Sequence, residues 1–216
     1  NIPDIDILQI IENSDDEDEY YNQQIDSILS SSDYYDIFLI EIENLKSLND
    51  VDLKNPNLQK TLLRQIYSSV ISCLEDYLSS TLIKEVLNNE EYFKNFVKTN
   101  PKIKERKFNL NDIYEELDKI TDIVKKELVE VIYHDLPKVR NMYQDSLKIE
   151  FPEISDLMLI IKTRHDMVHR NGKDKDGKII SITENTIDEI IDLVGDFVMD
   201  LESRIRPNEK MKNLGF

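Results

Sequence analysis

The sequence predicts an all-α protein, a helical bundle of about five to seven helices with a short loop or extended piece before the last helix. Three observations lead to this prediction. Apolar residues recur at three- and four-residue steps through most of the chain between residues 33 and 205, which is the period of an amphipathic helix. Residues that favour helix starts and ends lie at the boundaries of these segments. No segment has the alternating pattern expected of a sizeable sheet.

The first half of the chain predicts two long helices and a short one. Asp33 is a suitable N-cap for the first helix. Asn55 is a suitable cap for the second, a long helix that opens with Pro56 and ends near 88–89. A short helix over 91–97 follows, and Pro101 breaks it, because the residue before a proline disfavours the helical conformation.

The second half predicts three further helical segments. Asn109 or Asn111 opens a long one, and Pro137 interrupts or kinks it. Pro152 starts the next helix, which carries the motif described below. Thr186 is placed to form a capping box with the glutamate three residues later, and it would open the last helix.

We divide the chain into four parts. Residues 1–32 form an acidic arm that we expect to be flexible, since a block of like charges such as 15–19 is usually solvated. A leading helix occupies 33–54, the main helical domain occupies 55–205, and a polar tail occupies 206–216. An alternative is that the acidic arm folds back over basic residues elsewhere in the chain and competes with their ligand.

The charge of the chain opposes nonspecific binding to nucleic acid. The formal net charge is -17, from 44 acidic and 27 basic residues. Any RNA site must therefore be a local basic island, and one such island spans 162–178, where six basic residues outnumber three acidic ones. The alternative is an ordinary lysine-rich surface loop.

Cysteine usage and hydropathy predict a cytoplasmic protein. Cys73 is the single cysteine, so no intramolecular disulfide can form. It lies in an apolar helical run without a nearby histidine, which favours a core position over a catalytic one. No apolar run approaches the ~20 residues that a membrane span needs, and no secretory signal is visible at the start.

The residues best suited to phosphate binding and proton transfer lie in one run from Arg164 to Gly172, Arg-His-Asp-Met-Val-His-Arg-Asn-Gly. Arg164 can hold a phosphate through its planar fork of donors. His169 can take or give a proton near neutral pH. Five positions along a helix turn about 500°, so these two side chains point roughly 140° apart. A site built across a twofold dimer would let two copies supply groups to one cleft.

The Arg-x4-His spacing, with a polar residue directly after the arginine, resembles the signature of the HEPN superfamily of helical ribonucleases and nucleotide-binding domains. The motif resemblance covers 162–177, and the order of helices over 55–205 is similar to the HEPN arrangement. It implies a homodimer with a composite cleft that needs no metal or other cofactor. It also implies a toxin or an antiphage defence effector that is restrained by an antitoxin or regulatory protein.

The resemblance implies a mechanism as well. The 2′-hydroxyl of RNA attacks the adjacent phosphate, His169 assists proton transfer, and Arg164 stabilises the charge on phosphorus. The products are a 2′,3′-cyclic phosphate and a 5′-hydroxyl. The catalytic residues are thus Arg164 and His169, and the residues expected to bind substrate are His165, Arg170, Asn171 and Lys173.

Two metal-dependent interpretations of the histidines remain open. His165 and His169 lie at i and i+4 of a predicted helix, a spacing that suits zinc, although a protein site needs a third ligand. The His-Asp doublets that begin at His134 and His165 are similar to those of HD-type metal phosphohydrolases. We expect no metal, because the chain contains only three histidines.

Non-catalytic interpretations of the motif also remain open. Arg164, Asp166 and Arg170 are spaced to form surface ion pairs, with His169 as a partly exposed helix cap. Glu75, on the long early helix, either pairs with the motif arginine or lies on a solvated face. The protein would then bind RNA or a nucleotide without cutting it, or serve as a helical dimerisation or antitoxin module.

Overall fold

The computed structural model describes residues 14–30, 33–106, 113–170 and 172–207. In these ranges the chain forms nine helices and no strand. The all-α bundle is therefore confirmed, and the described ranges contain more helices than the five to seven expected. None of the helices in these ranges is both long and apolar enough to cross a membrane.

A long central helix organises the bundle. The helices in chain order are α1 (Ser14–Ser30), α2 (Tyr34–Asn49), α3 (Pro56–Asn88), α4 (Glu90–Thr99), α5 (Pro101–Lys104), α6 (Ile113–Val129), α7 (Leu136–Leu147), α8 (Ser155–His169) and α9 (Glu184–Ile205). The 33-residue α3 packs against every other helix of eight residues or more. Leu74, Leu78 and Leu82 recur at four-residue steps along it and are fully buried. This spacing puts them on one face, which the surrounding helices cover.

Part of the segment that we expected to be a flexible acidic arm is helical. α1 packs against α3 and α6, and Ile25 is fully buried there. Ile28 and Leu29 pack against the same core, and Lys125 of α6 donates a hydrogen bond to the side chain of Asn22 at 3.1 Å. The expectation gave too much weight to the charge block and too little to three apolar residues at helical spacing. Residues 1–13 lie outside the described residues.

Local signals placed the helix starts of the first half correctly. The side chain of Asp33 accepts hydrogen bonds from backbone N–H groups at the start of α2, and Asn55 does the same at the start of α3. α4 ends at Thr99, directly before Asn100 and Pro101, and Pro101 then opens the four-residue helix α5. These caps satisfy N–H groups that a helix leaves without partners.

Three boundaries in the second half differ from expectation. Pro137 lies in the first turn of α7 and does not kink α6, since the missing N–H of proline is harmless in a first turn. α8 begins at Ser155, three residues after Pro152. Thr183 caps α9 in a capping box that uses Thr186 as its inner residue, so this helix starts earlier than we expected. Asn109 and Asn111 lie outside the described residues.

A buried carboxylate ties the last helix to the central one. Glu202 of α9 is 4% exposed and accepts a hydrogen bond from the Tyr77 hydroxyl of α3 at 2.5 Å. Arg206 donates to the same carboxylate and also to Glu85 of α3, at 3.2 Å. Burial raises the pKa of Tyr77 well above its usual value, so its hydroxyl keeps the proton that it donates. This polar network thus joins the end of α9 to α3, in the bundle against which α8 packs.

Cys73 packs against the hydrophobic core, as expected. Burial is the main cause that raises the pKa of its thiol to about 11. A thiol with this pKa stays protonated at neutral pH, and the thiolate is the nucleophilic form. The structure therefore gives Cys73 a packing role.

Candidate functional site

The motif residues lie on the last turns of α8 and in the loop that follows. α8 packs against α3 and α9. The Tyr67 hydroxyl of α3 donates a hydrogen bond to the carbonyl of Ile160 at 3.1 Å, which fastens the middle of α8 to the bundle. Burial raises the pKa of Tyr67 to about 12, so this donor keeps its proton at neutral pH. α8 ends at His169, where the sequence predicted a helix end.

Arg164 lies on the side of α8 that faces the bundle. Met167, one turn further along, is 6% exposed, and Leu157, two turns back, is 1% exposed. The Arg164 side chain is half-buried, and its Nε atom is buried without a hydrogen-bond partner. Among the residues that the structure describes, no carboxylate forms an ion pair with it. The Nε atom of Arg164 is therefore a buried donor whose hydrogen bond is not made within the described residues, and such a donor costs about 1–3 kcal/mol.

His165 and His169 lie on the solvent side of α8. Both are exposed, and their ring centroids are 4.5 Å apart with the ring planes at 43°. Arg164 and His169 therefore occupy different sides of one helix, as their separation of about 140° predicted. An exposed imidazole on one side and a sheltered guanidinium on the other cannot both face a single groove of one protomer.

Neither histidine gains a metal-ligand set from the described residues. In the described ranges, no group of three or more His, Cys, Asp or Glu side chains is arranged to hold a metal ion. The third histidine, His134, lies beside the long central helix, with its Nδ1 atom 3.4 Å from the Glu75 carboxylate. Glu75 thus lies near His134, and within the described residues it forms no ion pair with the motif arginine.

Asp166 and Arg170 form the ion pair that the structural interpretation of the motif predicted. An Nη atom of Arg170 lies 2.8 Å from Asp166, which is 8% exposed as a residue. The Arg170 side chain is 45% exposed, and a guanidinium has five donors, so it can keep Asp166 and still contact a phosphate. Asn171 lies outside the described residues.

The basic loop after α8 is a small, ordered hairpin. Lys173 and Ile179 form an isolated antiparallel bridge. Between them, the Asp174 carboxylate accepts hydrogen bonds from the N–H groups of Asp176 and Lys178, both at 2.9 Å. Gly177 has a φ of +78°, in the left-handed region that favours glycine, so the turn expected there is confirmed. The lysines at both ends of the hairpin are exposed.

The structure adds two cations that the sequence analysis did not select. Lys60 and Arg64 of α3 line a cavity of about 300 Å³ together with Gly172 and Lys173. Ile179–Ile182, from the second half of the hairpin, complete its wall. The basic loop is thus one side of a cavity, and α3 supplies the other side.

Arg64 and Gly172 meet at close range. A Cβ atom at Gly172 would lie 3.0 Å from an Nη atom of Arg64, and Gly172 has a φ of +80°. Arg64 also lines a second cleft of about 380 Å³ with Met167 and Val168 of α8. One guanidinium therefore borders both the cavity and the cleft along the motif helix.

A compositional signal for these cations was present in the sequence. The run 53–74 contains Lys54, Lys60 and Arg64 and no acidic residue, although the whole chain carries 44. An acid-free run of this length in such a chain marks a surface that keeps a positive potential. The contact between Arg64 and Gly172 is tertiary, so local sequence patterns could not have placed it.

The described fold and site define an all-helical protein with a cationic surface formed by the end of α8, the hairpin and the first half of α3. Comparison with protein-family models, with curated proteins and with solved structures gave no match for this chain. The resemblance to HEPN domains therefore rests on the motif and on the order of the helices.

Proposed function

We propose that this protein is a metal-independent endoribonuclease of the HEPN type. The observation that carries the proposal is the buried Nε atom of Arg164, which has no hydrogen-bond partner, on the same helix that presents the exposed imidazoles of His165 and His169. A buried donor without a partner costs free energy unless a ligand accepts its hydrogen bond. RNA phosphate is the ligand that matches both the charge and the planar fork of the guanidinium.

The proposed reaction needs no group beyond the protein and the RNA. The 2′-oxygen attacks the adjacent phosphorus and loses its proton, the bond between phosphorus and the 5′-oxygen breaks, and the 5′-oxygen takes up a proton. His169 moves a proton during this exchange, and Arg164 stabilises the extra negative charge on the phosphorus centre. The products are a 2′,3′-cyclic phosphate and a 5′-hydroxyl. His165, Arg170, Asn171 and Lys173 hold the RNA strand.

The proposal includes a homodimer with composite clefts. Because Arg164 and His169 occupy different sides of α8, we place Arg164 of one copy beside the partner subunit's His169. Met158 and Leu159, earlier on the same helix α8, are 46% and 64% exposed, and such apolar side chains are suited to a surface that a second copy covers.

The proposal also covers the biological role of the ribonuclease and its location in the cell. A free ribonuclease would damage its own cell, so we propose a toxin or antiphage defence effector that is restrained by an antitoxin or regulatory partner and acts in the cytoplasm. The net charge of -17 supports restraint as well, because it slows nonspecific capture of RNA.

One observation favours a second function, binding of RNA or a nucleotide without cleavage. Arg170, an expected substrate contact, is already paired with Asp166 at 2.8 Å. If this pair is permanent, the site offers fewer cations to a phosphate than the motif suggests. A dimerisation or antitoxin module is favoured less, since packing alone needs neither a sheltered arginine nor an ordered basic hairpin.

The proposal is tested by incubating the protein with end-labelled single-stranded RNA in an excess of chelator. We expect cleavage that chelator does not suppress, with fragments that carry 2′,3′-cyclic phosphate and 5′-hydroxyl ends. Cleavage that stops in chelator would contradict the metal-independent mechanism. RNA that is retained by the protein but stays whole would favour the second function.

A further inference from the structure

We infer that the cavity between α3 and the hairpin, lined by Lys60, Arg64, Gly172, Lys173 and Ile179–Ile182, binds a nucleotide, with cations on its phosphate and isoleucines against its base. In the proposed ribonuclease it would hold a nucleotide beside the cleaved bond, and to that extent the inference rests on the proposed function. Binding is nevertheless measurable without cleavage.

The cations that line the cavity have no carboxylate partner in the described part of the chain. Within the described part of the chain, no ion pair engages Lys60, Arg64 or Lys173, whereas Lys94, Lys102 and Arg204 each contact a carboxylate. Three uncompensated cations around one cavity repel one another, and an anion relieves that repulsion. These cations form a local excess of positive charge in a chain whose net charge is -17.

The end of the Arg64 side chain lies close to the backbone at Gly172. Gly172 adopts a φ of +80°, which disfavours other residues, and a side chain there would lie 3.0 Å from an Nη atom of Arg64. The N–H of Gly172 donates to the carbonyl of Met167 at 3.2 Å, and the carbonyl of Gly172 accepts from Ile180 at 2.9 Å. The backbone of Gly172 is therefore held by hydrogen bonds on both sides, and the end of the Arg64 side chain lies against it.

Apart from Ser181, the remaining wall is apolar, which suits contact with a base. Ile179 is 75% exposed, and Ile180 and Ile182 are partly buried beside it. A large exposed aliphatic side chain next to three cations is what a ligand with both a charged and a flat apolar part requires. A volume of about 300 Å³ lies at the lower end of the range for small-molecule sites, which suits a single nucleotide.

The cavity is also connected to the motif helix. Arg64 lines both this cavity and the cleft that reaches Met167 and Val168 of α8. A strand whose phosphate contacts Arg64 would continue along that cleft toward the end of α8. The same chemistry would also accept a free nucleotide, so the two sources need separate arms in a test.

The test is a binding measurement on the His169→Ala protein, which keeps the cavity but lacks the proposed proton-transfer group. One arm uses a short fluorescent single-stranded oligoribonucleotide, and the other uses free adenosine and uridine 5′-monophosphates. We expect Arg64→Ala in this background to weaken binding in at least one arm about tenfold. For the oligoribonucleotide, the slope of log affinity against log salt should also fall by about one.

Two further variants separate the two parts of the site. Ile179→Ala should weaken binding roughly fivefold without changing the salt slope, because it removes apolar contact and no charge. Lys98→Ala, which removes an exposed lysine of α4 outside the cavity lining, should change affinity less than about twofold. Far-ultraviolet circular dichroism of each variant checks that the bundle is intact.

The outcomes are decisive in both directions. A loss at Arg64 for RNA only assigns the cavity to the strand, and a loss for the monophosphates only assigns it to a free nucleotide. If Arg64→Ala and Ile179→Ala both behave as Lys98→Ala does in both arms, the inference is overturned. RNA cleavage by the otherwise unaltered protein is scored separately, so cleavage with no Arg64 effect would reject this cavity and leave the proposed function standing.

Discussion

Replacing Arg164 with alanine is expected to lower the rate of RNA cleavage about 10²–10³-fold. The guanidinium is the only group that the proposal places against the charge that develops on phosphorus. Its loss should therefore appear in the rate of the chemical step under single-turnover conditions, and less in RNA affinity. Arg164→Lys keeps the charge and loses the planar fork, so an intermediate rate is expected.

The same substitution should leave the stability of the protein almost unchanged. Arg164→Ala removes the buried Nε atom that has no hydrogen-bond partner, and it also removes the packing of the half-buried aliphatic stem. Because these two effects oppose each other, the free energy of unfolding should change by less than about 1 kcal/mol. Lys162→Ala, on the exposed side of the same helix, removes equal charge and should keep most of the cleavage rate. A rate that is insensitive to Arg164, or a loss explained by unfolding in urea, would contradict the assignment.

Replacing Glu202 with alanine is expected to lower the free energy of unfolding by about 3–5 kcal/mol. The carboxylate is 4% exposed and accepts hydrogen bonds from Tyr77 and Arg206. Its removal leaves the hydroxyl of Tyr77, which is 1% exposed, without this acceptor and opens a cavity between α9 and α3. Urea unfolding followed by circular dichroism measures the change.

α9 supplies a matched control for this variant. Asp200 and Arg204 form an ion pair at the same four-residue spacing, 2.7 Å apart, but the Asp200 side chain is 46% exposed. Asp200→Ala should therefore cost less than about 1 kcal/mol. Glu202→Gln keeps an acceptor for Tyr77 and should fall between the two. Equal losses in the free energy of unfolding for Glu202→Ala and Asp200→Ala would contradict the claim that burial makes the Glu202 network more stabilising than the exposed pair.

Local sequence signals were sufficient for much of the fold. Asp33 and Asn55 act as caps because their side chains reach N–H groups only two or three residues away. The end of α8 and the turn at Gly177 follow from equally local preferences. These features depend on neighbours in the chain, so the amino-acid order reveals them.

The errors arose where neighbours in space decide the structure. α1 is held by the burial of Ile25 against α3 and α6, which outweighs the repulsion within its acidic block. Thr183 and Thr186 both suit a cap, and the sequence pattern alone favoured the wrong one.

Part of the candidate site could be predicted, because it also depends on neighbours in the chain. The opposed directions of Arg164 and His169 follow from helical geometry, and the structure places them on different sides of α8. The pairing of Arg170 with Asp166 was expected as one alternative and is present. The approach of Arg64 to Gly172 joins α3 to the end of α8, and only the packing of the two helices creates it.

The central claim is that Arg164 of one copy acts with the partner subunit's His169, and a mixed dimer tests it most directly. Arg164→Ala and His169→Ala chains with different affinity tags are co-expressed, and the dimer that carries both tags is purified. One of its two clefts then contains both intact groups, so we expect about half of the unaltered rate of RNA cleavage, although each parent dimer is inactive. A mixed dimer as inactive as its parents, or a protein that stays monomeric at the assay concentration, would contradict the claim.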